Sequence, residues 1–356
     1  MAQNRGLLQA DDQHSLENRT KKGGYSMGTV KLAAICAAAL LTSGCGGGGG
    51  DARPAPVPPP APTPTPSPPP EDTAFPLSQT RTFEAIGATR THRGTPALQP
   101  GVENVTPGAM TVSPRGPGLT IRYDAANQSY TVSGGGSTVS FTPTDRAGAS
   151  DRGMDVYQRQ SGTITDELRL SGNIRTGGPT GAPVELTYLS YGIWTRRDSQ
   201  TGDRRRDYLL FGFPTATGDM PRTGTASYRT GVTGNLLRIN PGGTGGQSEI
   251  GGSATLSANF ADGTVATSLS IGRLDTGQSL GIYQGTGTIG ANQFSGSFTG
   301  GPHLVRGDFA GGFFGPAARE AGYAFQIERF NPDPYAGASP DIVNDRIIGV
   351  VTGVRN

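Results

Sequence analysis

Lysine is nearly missing from this sequence. Only Lys21, Lys22 and Lys31 occur, and none lies beyond residue 31. Cysteine is limited to Cys36 and Cys45, tryptophan to one residue and histidine to three. Each scarcity excludes a chemistry. Without a lysine past the first segment, no P-loop can reach a nucleotide phosphate and no Schiff base can form. With both cysteines among the first 45 residues, the rest of the chain has no disulfide and no thiolate metal site. Long apolar runs are also missing. The longest, Leu32 to Leu41, is about half of what a spanning helix needs. Helix formers are thin, with five methionines and a glycine in most stretches of ten, so helical bundles, doubly wound α/β folds and coiled coils are set aside.

What is plentiful is glycine, with 57 residues, and proline, with 28. A composition of that kind borders on the disordered class. The prolines are concentrated, however: 11 of them fall between Pro54 and Pro70. The remainder is a Gly-, Ser- and Thr-rich chain of short apolar alternations, which reads as all-β. Removing residues 1–44 leaves 25 positive and 25 negative side chains, with every cation an arginine. Such a neutral chain has no general attraction for nucleic acid or an anionic surface.

The segment from Met27 has a positive charge at Lys31, an apolar run to Leu41 and small residues up to Cys45, the layout of a secretory signal. Leu41-Thr42-Ser43-Gly44-Cys45 resembles the lipobox of bacterial lipoproteins, with Thr42 where Leu, Val or Ile is usual. The resemblance implies that Cys45 is lipidated and palmitate-bearing and becomes the N-terminus. It also implies sorting to the outer membrane, because Gly46 rather than Asp follows. The first 26 residues read either as an upstream start codon assigned in error, with Met27 the true start, or as a long, polar n-region. Gly46 to Gly50 then form a swivel. The Pro-rich run should extend as polyproline II, at roughly 3.1 Å per residue, as a semi-rigid spacer. Residues 1–44 are thus a leader and residues 45–72 a lipidated tether, both disordered.

Two β regions follow. From about residue 73 to 206 short strands alternate loosely, among them Leu119–Tyr123, Ser129–Val132, Thr138–Phe141, Asp155–Tyr157 and Val184–Trp194, with Asp124–Gln128 as a hairpin loop. Their pairing order is not readable. Beyond residue 207 the pattern tightens. Ala254, Leu256, Ala258 and Phe260 alternate with Ser and Thr, and Asp262-Gly263 turns the chain into Val265, Leu269 and Ile271. Further strands over Gly224–Thr230, Leu280–Ile289, Phe294–Thr299, Leu304–Phe314, Gly322–Arg329 and Ile347–Val354 complete eight, spaced as a meander that closes into a barrel. Outward Ser, Thr, Asn and Arg give no lipid-facing band, so the barrel is read as soluble. Inward Phe260, Phe309, Phe313 and Phe325 predict a filled interior rather than a lipocalin-like cavity.

Gly307-Asp-Phe-Ala-Gly-Gly-Phe-Phe-Gly-Pro-Ala-Ala-Arg-Glu-Ala-Gly-Tyr-Ala-Phe325 resembles the signature hairpin of transferrin-binding protein B-like surface lipoproteins. Met220-Pro-Arg-Thr-Gly-Thr-Ala-Ser-Tyr228 is similar to the first barrel strand of that family. The likeness implies a handle-like β domain over residues 73–206 before the barrel domain at 207–356, one lobe in all. It further implies an outer-membrane, surface-exposed receptor that is not an enzyme and captures a protein ligand in iron or haem acquisition. A TonB-dependent receptor beside it is a further expectation, as is a monomeric state. Glu320 and the neighbouring glycines are read as pins of a tight turn, not as binding residues. A periplasm-facing structural lipoprotein and a small-ligand barrel are the alternatives.

Little else carries chemistry. Gly285-Thr-Gly-Thr-Ile-Gly290 matches a dinucleotide fingerprint in letters but sits within a meander strand. No serine stands in a nucleophile-elbow context, and no cofactor or metal is implied. His92 and His303 read as surface histidines. Asp333, Asp341 and Asp345, with Asn331 and Asn344, read as a solvated loop, because prolines break any calcium-binding spacing. Asp203-Arg-Arg-Arg-Asp207 is the densest charge cluster, read as a solvated corner between the two regions, with Arg204, Arg205 and Arg206 the candidates for ligand contact. The Gly-rich loop Asn240–Gly246 is a second contact candidate, because loops on rigid barrels carry binding.

Overall fold

The computed structural model describes residues 71–97, 102–149, 153–171, 185–329 and 345–356. Cys45, the leader and nearly all of the tether lie outside the described residues, as do Asp333 and Asp341. Among the described residues there is no α-helix, only two single-turn 3-10 segments.

Nine strands form the first region: β1 (Arg81–Pro96), β2 (Glu103–Asp124), β3 (Ser129–Gly134), β4 (Ser137–Phe141), β5 (Arg146–Ala149), β6 (Met154–Ser161), β7 (Ile164–Ser171), β8 (Leu189–Asp198) and β9 (Asp203–Gly212). They pair antiparallel in the order β4-β3-β2-β1-β9-β8-β7-β6-β5. Eight more follow as a meander: β10 (Thr225–Ile239), β11 (Thr244–Asn259), β12 (Thr264–Arg273), β13 (Ser279–Gly290), β14 (Gln293–Gly300), β15 (Leu304–Phe314), β16 (Glu320–Arg329) and β17 (Asp345–Arg355). Pairing of β17 back onto β10, from Tyr228↔Arg355 to Arg238↔Asp345, closes them into an antiparallel barrel. The first region is the handle-like sheet, and residues 67–356 make one compact unit.

Three apolar cores explain the arrangement. The barrel interior is filled by aromatic rings, with Phe294, Phe298, Phe309, Phe313, Tyr323 and Phe325 all buried. Successive rings meet at 5.2–6.4 Å in tilted or edge-on contacts. Each buried ring is worth about 1.5–3 kcal/mol over leaving it in water. Tyrosine hydroxyls inside the barrel are satisfied: Tyr323 shares a hydrogen bond with Thr267 at 2.8 Å, and Tyr283 donates to the Leu280 carbonyl at 2.9 Å. The four inward phenylalanines named from the sequence are all in this core.

The handle has its own core, built from Phe83, Ile121, Val132, Phe141, Leu168, Trp194, Leu209 and Phe211. Between the two lies a third, where Ile86, Ala88, Tyr191, Ile193, Tyr208 and Leu210 of the handle pack on Ala310, Phe314, Ala324, Ile348 and Val350 of the barrel wall. The run Tyr208-Leu-Leu-Phe211 therefore needs no alternation, since β9 buries one face in each core. Gly322 lies where this contact is tightest. A Cβ there would meet the Val351 carbonyl at 2.7 Å and Leu189 and Leu210 at 3.0 Å, so only glycine lets the handle close on β16. Elsewhere the barrel's outer face is polar: Ser253, Thr255, Ser257, Thr264, Thr286 and Thr288 are exposed or half-exposed along β11 to β13.

Several sequence readings change. β9 spans residues 203–212 without a break, so Asp203–Asp207 is strand and not a solvated corner. Its charges are tolerated within the sheet because each arginine has an acidic partner, Glu103 of β2 for Arg204, Glu249 of β11 for Arg206 and Asp207 of β9 itself for Arg205. The stretch predicted to be strand from Val184 begins only at Leu189. Residues 187–189 spend their N–H groups on a barrel carboxylate instead. Asp345 is no loop residue but the first of β17, fully buried and paired with two arginines. Gly285–Gly290 lies in β13, hydrogen-bonded to a strand on either side. The Asp124–Gln128 loop is the β2–β3 turn, with Asp124 accepting from Ala126 and Asn127.

Candidate functional site

The antiparallel order gives the molecule two ends of different character. At one, the chain enters. Phe75 donates its N–H to the Thr187 carbonyl at 2.8 Å, Phe213 to Tyr188 at 2.8 Å, and Gly315 to Phe213 at 2.9 Å. Glu320 organises this end. Its carboxylate accepts from the backbone N–H groups of Thr187 at 2.7 Å, Tyr188 at 2.9 Å and Leu189 at 2.8 Å. Burial pushes its carboxyl upward, opposed by those three donors. The sequence placed Glu320 in a tight turn, whereas the structure makes it the tie between the barrel and the handle.

At the opposite end stand the turns β1–β2, β6–β7, β8–β9, β10–β11, β12–β13 and β14–β15. The central strands β1, β8 and β9 run 10–16 residues between the two ends, so this end lies away from Phe75. It is rich in arginine. The β8–β9 hairpin sets Arg197 directly opposite Arg204, and Arg196 directly opposite Arg205. Like charges in facing positions oppose pairing.

Alternation sends Arg204 and Arg206 to the barrel side and Arg205 to the handle interior. Arg204 pairs with Glu103. Arg206 donates to Glu249 of β11 at 2.9 Å. Arg205 donates to Asp207 at 2.8 Å and to the Gly134 carbonyl at 2.9 Å, and its guanidinium stacks over Trp194 at 5.4 Å. The three candidates are therefore brought to one end of the molecule, but on two faces and each already paired.

Behind Arg206 a buried polar network crosses from handle to barrel. Arg90 is fully buried and donates to Asn235, to Gln247 at 3.2 Å and to the Arg346 carbonyl at 2.7 Å. Burial, with Arg206 and Arg346 nearby, holds it down to about 9. Arg238 grips Asp345 with two bonds at 2.8 and 2.9 Å, and Arg346 donates to Glu328 at 2.9 Å. His92 belongs here and not on the surface. It is 6% exposed in β1, opposite Arg204, and neither ring nitrogen finds a partner. Burial, then the charges of Arg90, Arg204, Arg206 and Arg346, hold it down to about 3, so the imidazole is neutral. Its position in an uncapped run, Thr89-Arg-Thr-His-Arg-Gly94, gave no sign of burial. His303 is exposed in the β14–β15 turn.

A cleft of about 530 Å³ opens at this end, with Thr91, Ile164, Arg196 and Arg205 among its walls. A second, of about 450 Å³, lies between Glu103, Arg197, Arg204, Leu237 and Gln247 where β10–β11 meets the start of β2. Asn240–Gly246, picked out as a loop, is docked there, with Thr244↔Asn104 and Gly245↔Glu103 joining the barrel to the handle. No cluster of three or more His, Cys, Asp or Glu side chains able to hold a metal occurs among the described residues.

Residues 220–354 match the family of the C-lobe and N-lobe beta barrels of Tf-binding protein B. The barrel is similar to the barrels of that family. Its first strand and its β15–β16 hairpin are the two motifs recognised in the sequence, and the transferrin-binding-protein-like barrel covers all eight meander strands. No curated protein sequence matches the chain. Solved structures similar to it include the apo haemoglobin receptor HpuA from Kingella denitrificans, at 16% identity and TM-score 0.37, covering 78% of this chain and 87% of that one. HpuA from the same organism in complex with human haemoglobin gives 15% and 0.34, over 78% and 88%. Transferrin-binding protein B from serogroup B Neisseria meningitidis gives 13% and 0.31, over 78% and 77%.

Proposed function

We propose that the chain is a lipid-anchored receptor of the bacterial outer membrane, exposed at the cell surface, that captures a protein ligand in iron or haem acquisition. Cys45 carries the acyl chains, and the Gly/Pro-rich segment before Glu71 holds the folded unit off the bilayer. The turn-rich end opposite Phe75 is the binding end, and the handle and barrel act as one rigid body. The observation that carries this reading is the match of residues 220–354 to barrels of a protein named for binding another protein. It is supported by a barrel whose interior is packed with rings, which directs recognition to the outside.

Intact cells bearing the full chain, treated with an external protease, test the exposure: the expected outcome is loss of the folded unit, and its survival would favour a periplasm-facing protein. Capture by the detergent-solubilised full chain of transferrin or of haemoglobin, compared with ovalbumin as an unrelated globular control, tests the ligand class. Retention of one of the two over the control is expected, and retention of neither removes the iron-carrier reading.

A further inference from the structure

One row of side chains crosses five strands of the handle. Register places Arg159 of β6 opposite Asp166 of β7, Asp166 opposite Arg196 of β8, Arg196 opposite Arg205 of β9, and Arg205 opposite Thr91 of β1. Facing residues in a ladder share a face. Three guanidinium groups therefore line one face of the handle with a single carboxylate among them, at the rim of the core that holds Leu168 and Trp194.

The members of this row are committed to different degrees. Arg205 is fixed by Asp207, by the Gly134 carbonyl and by the Trp194 ring. Arg159 is exposed and donates to the Ser140 carbonyl at 2.8 Å. Arg196 donates no hydrogen bond to any described residue. Its nearest carboxylate, Asp166, is 3.6 Å away and already accepts from the Trp194 indole N–H at 2.9 Å. The Arg196 side chain is nonetheless only 26% exposed. A partly desolvated cation with open donors, held by one long ion pair to Asp166 and placed opposite a second cation, has capacity for a further anion.

The space for one is present. The 530 Å³ cleft and a neighbouring one of about 330 Å³, lined by Ser140, Arg159 and Asp166, share Arg196 and Ile164 as common walls. Both fall at the scale of small-ligand sites, roughly 300–1,000 Å³. The other acidic groups at the rim are occupied: Asp203 holds Arg93 at 2.9 Å, and Asp198 caps the turn by accepting from the Gln200 N–H at 2.9 Å.

We propose that this row binds an oxyanion, a carboxylate or phosphate group of a small organic ligand, clamped by Arg196 and screened by the fixed Arg205. The planar fork of Arg196 suits either group in bidentate fashion, and Trp194 with Asp207 holds Arg205 ready without rearrangement. The site opens at the same end as the binding end proposed above, but the inference rests on the arginine row and its clefts and not on that reading.

Citrate and inorganic phosphate, titrated into the detergent-solubilised full chain at constant ionic strength made up with chloride, test it. Calorimetry and the arginine Nε–H resonances are read together. A saturable response above chloride, with Arg196 and Arg205 resonances shifting, is expected for at least one probe. The probe that responds identifies carboxylate or phosphate. Arg196→Gln should weaken binding by about tenfold or more, as loss of a charged hydrogen-bond pair implies. Arg197→Gln, on the opposite face, should leave it unchanged. No saturable response to either probe, equal affinity in Arg196→Gln, or equal loss in Arg197→Gln would each overturn the proposal.

Discussion

The barrel and the handle solve the same problem with different materials. The barrel closes on itself, fills its interior with rings and satisfies its few buried hydroxyls internally. The handle is an open sheet that buries one face of its central strands against the barrel and keeps a second core of its own. Its far end is built from arginines set opposite one another in the ladder. Apolar packing dominates the barrel interior. The handle depends on the barrel through one carboxylate, one glycine-tight contact and a buried arginine network. A region stabilised by paired charges also has charges to offer, which is why the proposed binding end falls where the arginines gather.

Breaking either half should separate them experimentally. Phe309→Ala, at the centre of the barrel's ring stack, is expected to lose about 3–5 kcal/mol of unfolding free energy. The whole unit should still unfold in one transition, because the handle cannot remain docked on a failing wall. Denaturant titration followed by fluorescence of Trp194, the handle's reporter, measures this; an unchanged midpoint would contradict a packed interior. Glu320→Ala removes the acceptor of three N–H groups at the tie between the regions. Those donors are left unpaired at about 1–3 kcal/mol each, partly relieved by water, so a loss of about 3–5 kcal/mol is expected. Here the two regions should part company, with Trp194 reporting an earlier transition than far-ultraviolet ellipticity. Coincident transitions would mean that the apolar contact around Gly322 suffices alone.

How much of this was legible in residues follows the same divide. The barrel's eight strands could be read because each has one wet and one dry face: Ser253 to Phe260 alternates so strictly that register and burial follow. Strand β9 could not be read that way, since Tyr208 to Phe211 is apolar on both faces and its neighbours come from sequence positions a hundred residues apart. Glu320 stood out in the hairpin motif, but its partners Thr187 to Leu189 lie in another region, so its role looked local. Asp203-Arg-Arg-Arg-Asp207 looked like a solvated corner because Glu103 and Glu249, which neutralise it, are distant in the chain. His92 was hidden for the same reason. What sequence spacing cannot carry is pairing across long separations.

The neutral imidazole of His92 gives the comparison a pH axis. Its ordinary value is 6.5 and the folded chain holds it down to about 3. Between those values the unfolded chain binds a proton that the folded one refuses. Stability therefore declines as pH falls through 6.5, by at most about 1.4 kcal/mol per unit, until the loss is complete near 3. The surrounding groups, Arg90 on the same strand, Arg204 and Arg206 on β9 and Arg346 on β17, remain charged across that range and supply no compensating titration. In His92→Gln the acid slope over this interval should flatten relative to the parent, measured as the difference between the two proteins at each pH so that carboxylates common to both cancel. Identical slopes would place the imidazole in water.

The smallest expected effect tests the arginine rows most directly. Arg197 is exposed, faces Arg204 across the hairpin, and forms no ion pair with a described residue. Repulsion between facing like charges is worth about 0.2–1 kcal/mol. Arg197→Thr should therefore leave stability equal or raise it by that amount, and it places a β-branched residue where strands favour one. Arg204→Thr, by contrast, should lower stability, because it frees Glu103 from its partner while removing the same repulsion. A double-mutant cycle over the two positions should return a repulsive coupling that shrinks as salt is added. If Arg197→Thr instead destabilises, the hairpin arginines are holding the handle together. If it stabilises, the Arg197 charge costs the fold stability through its position facing Arg204.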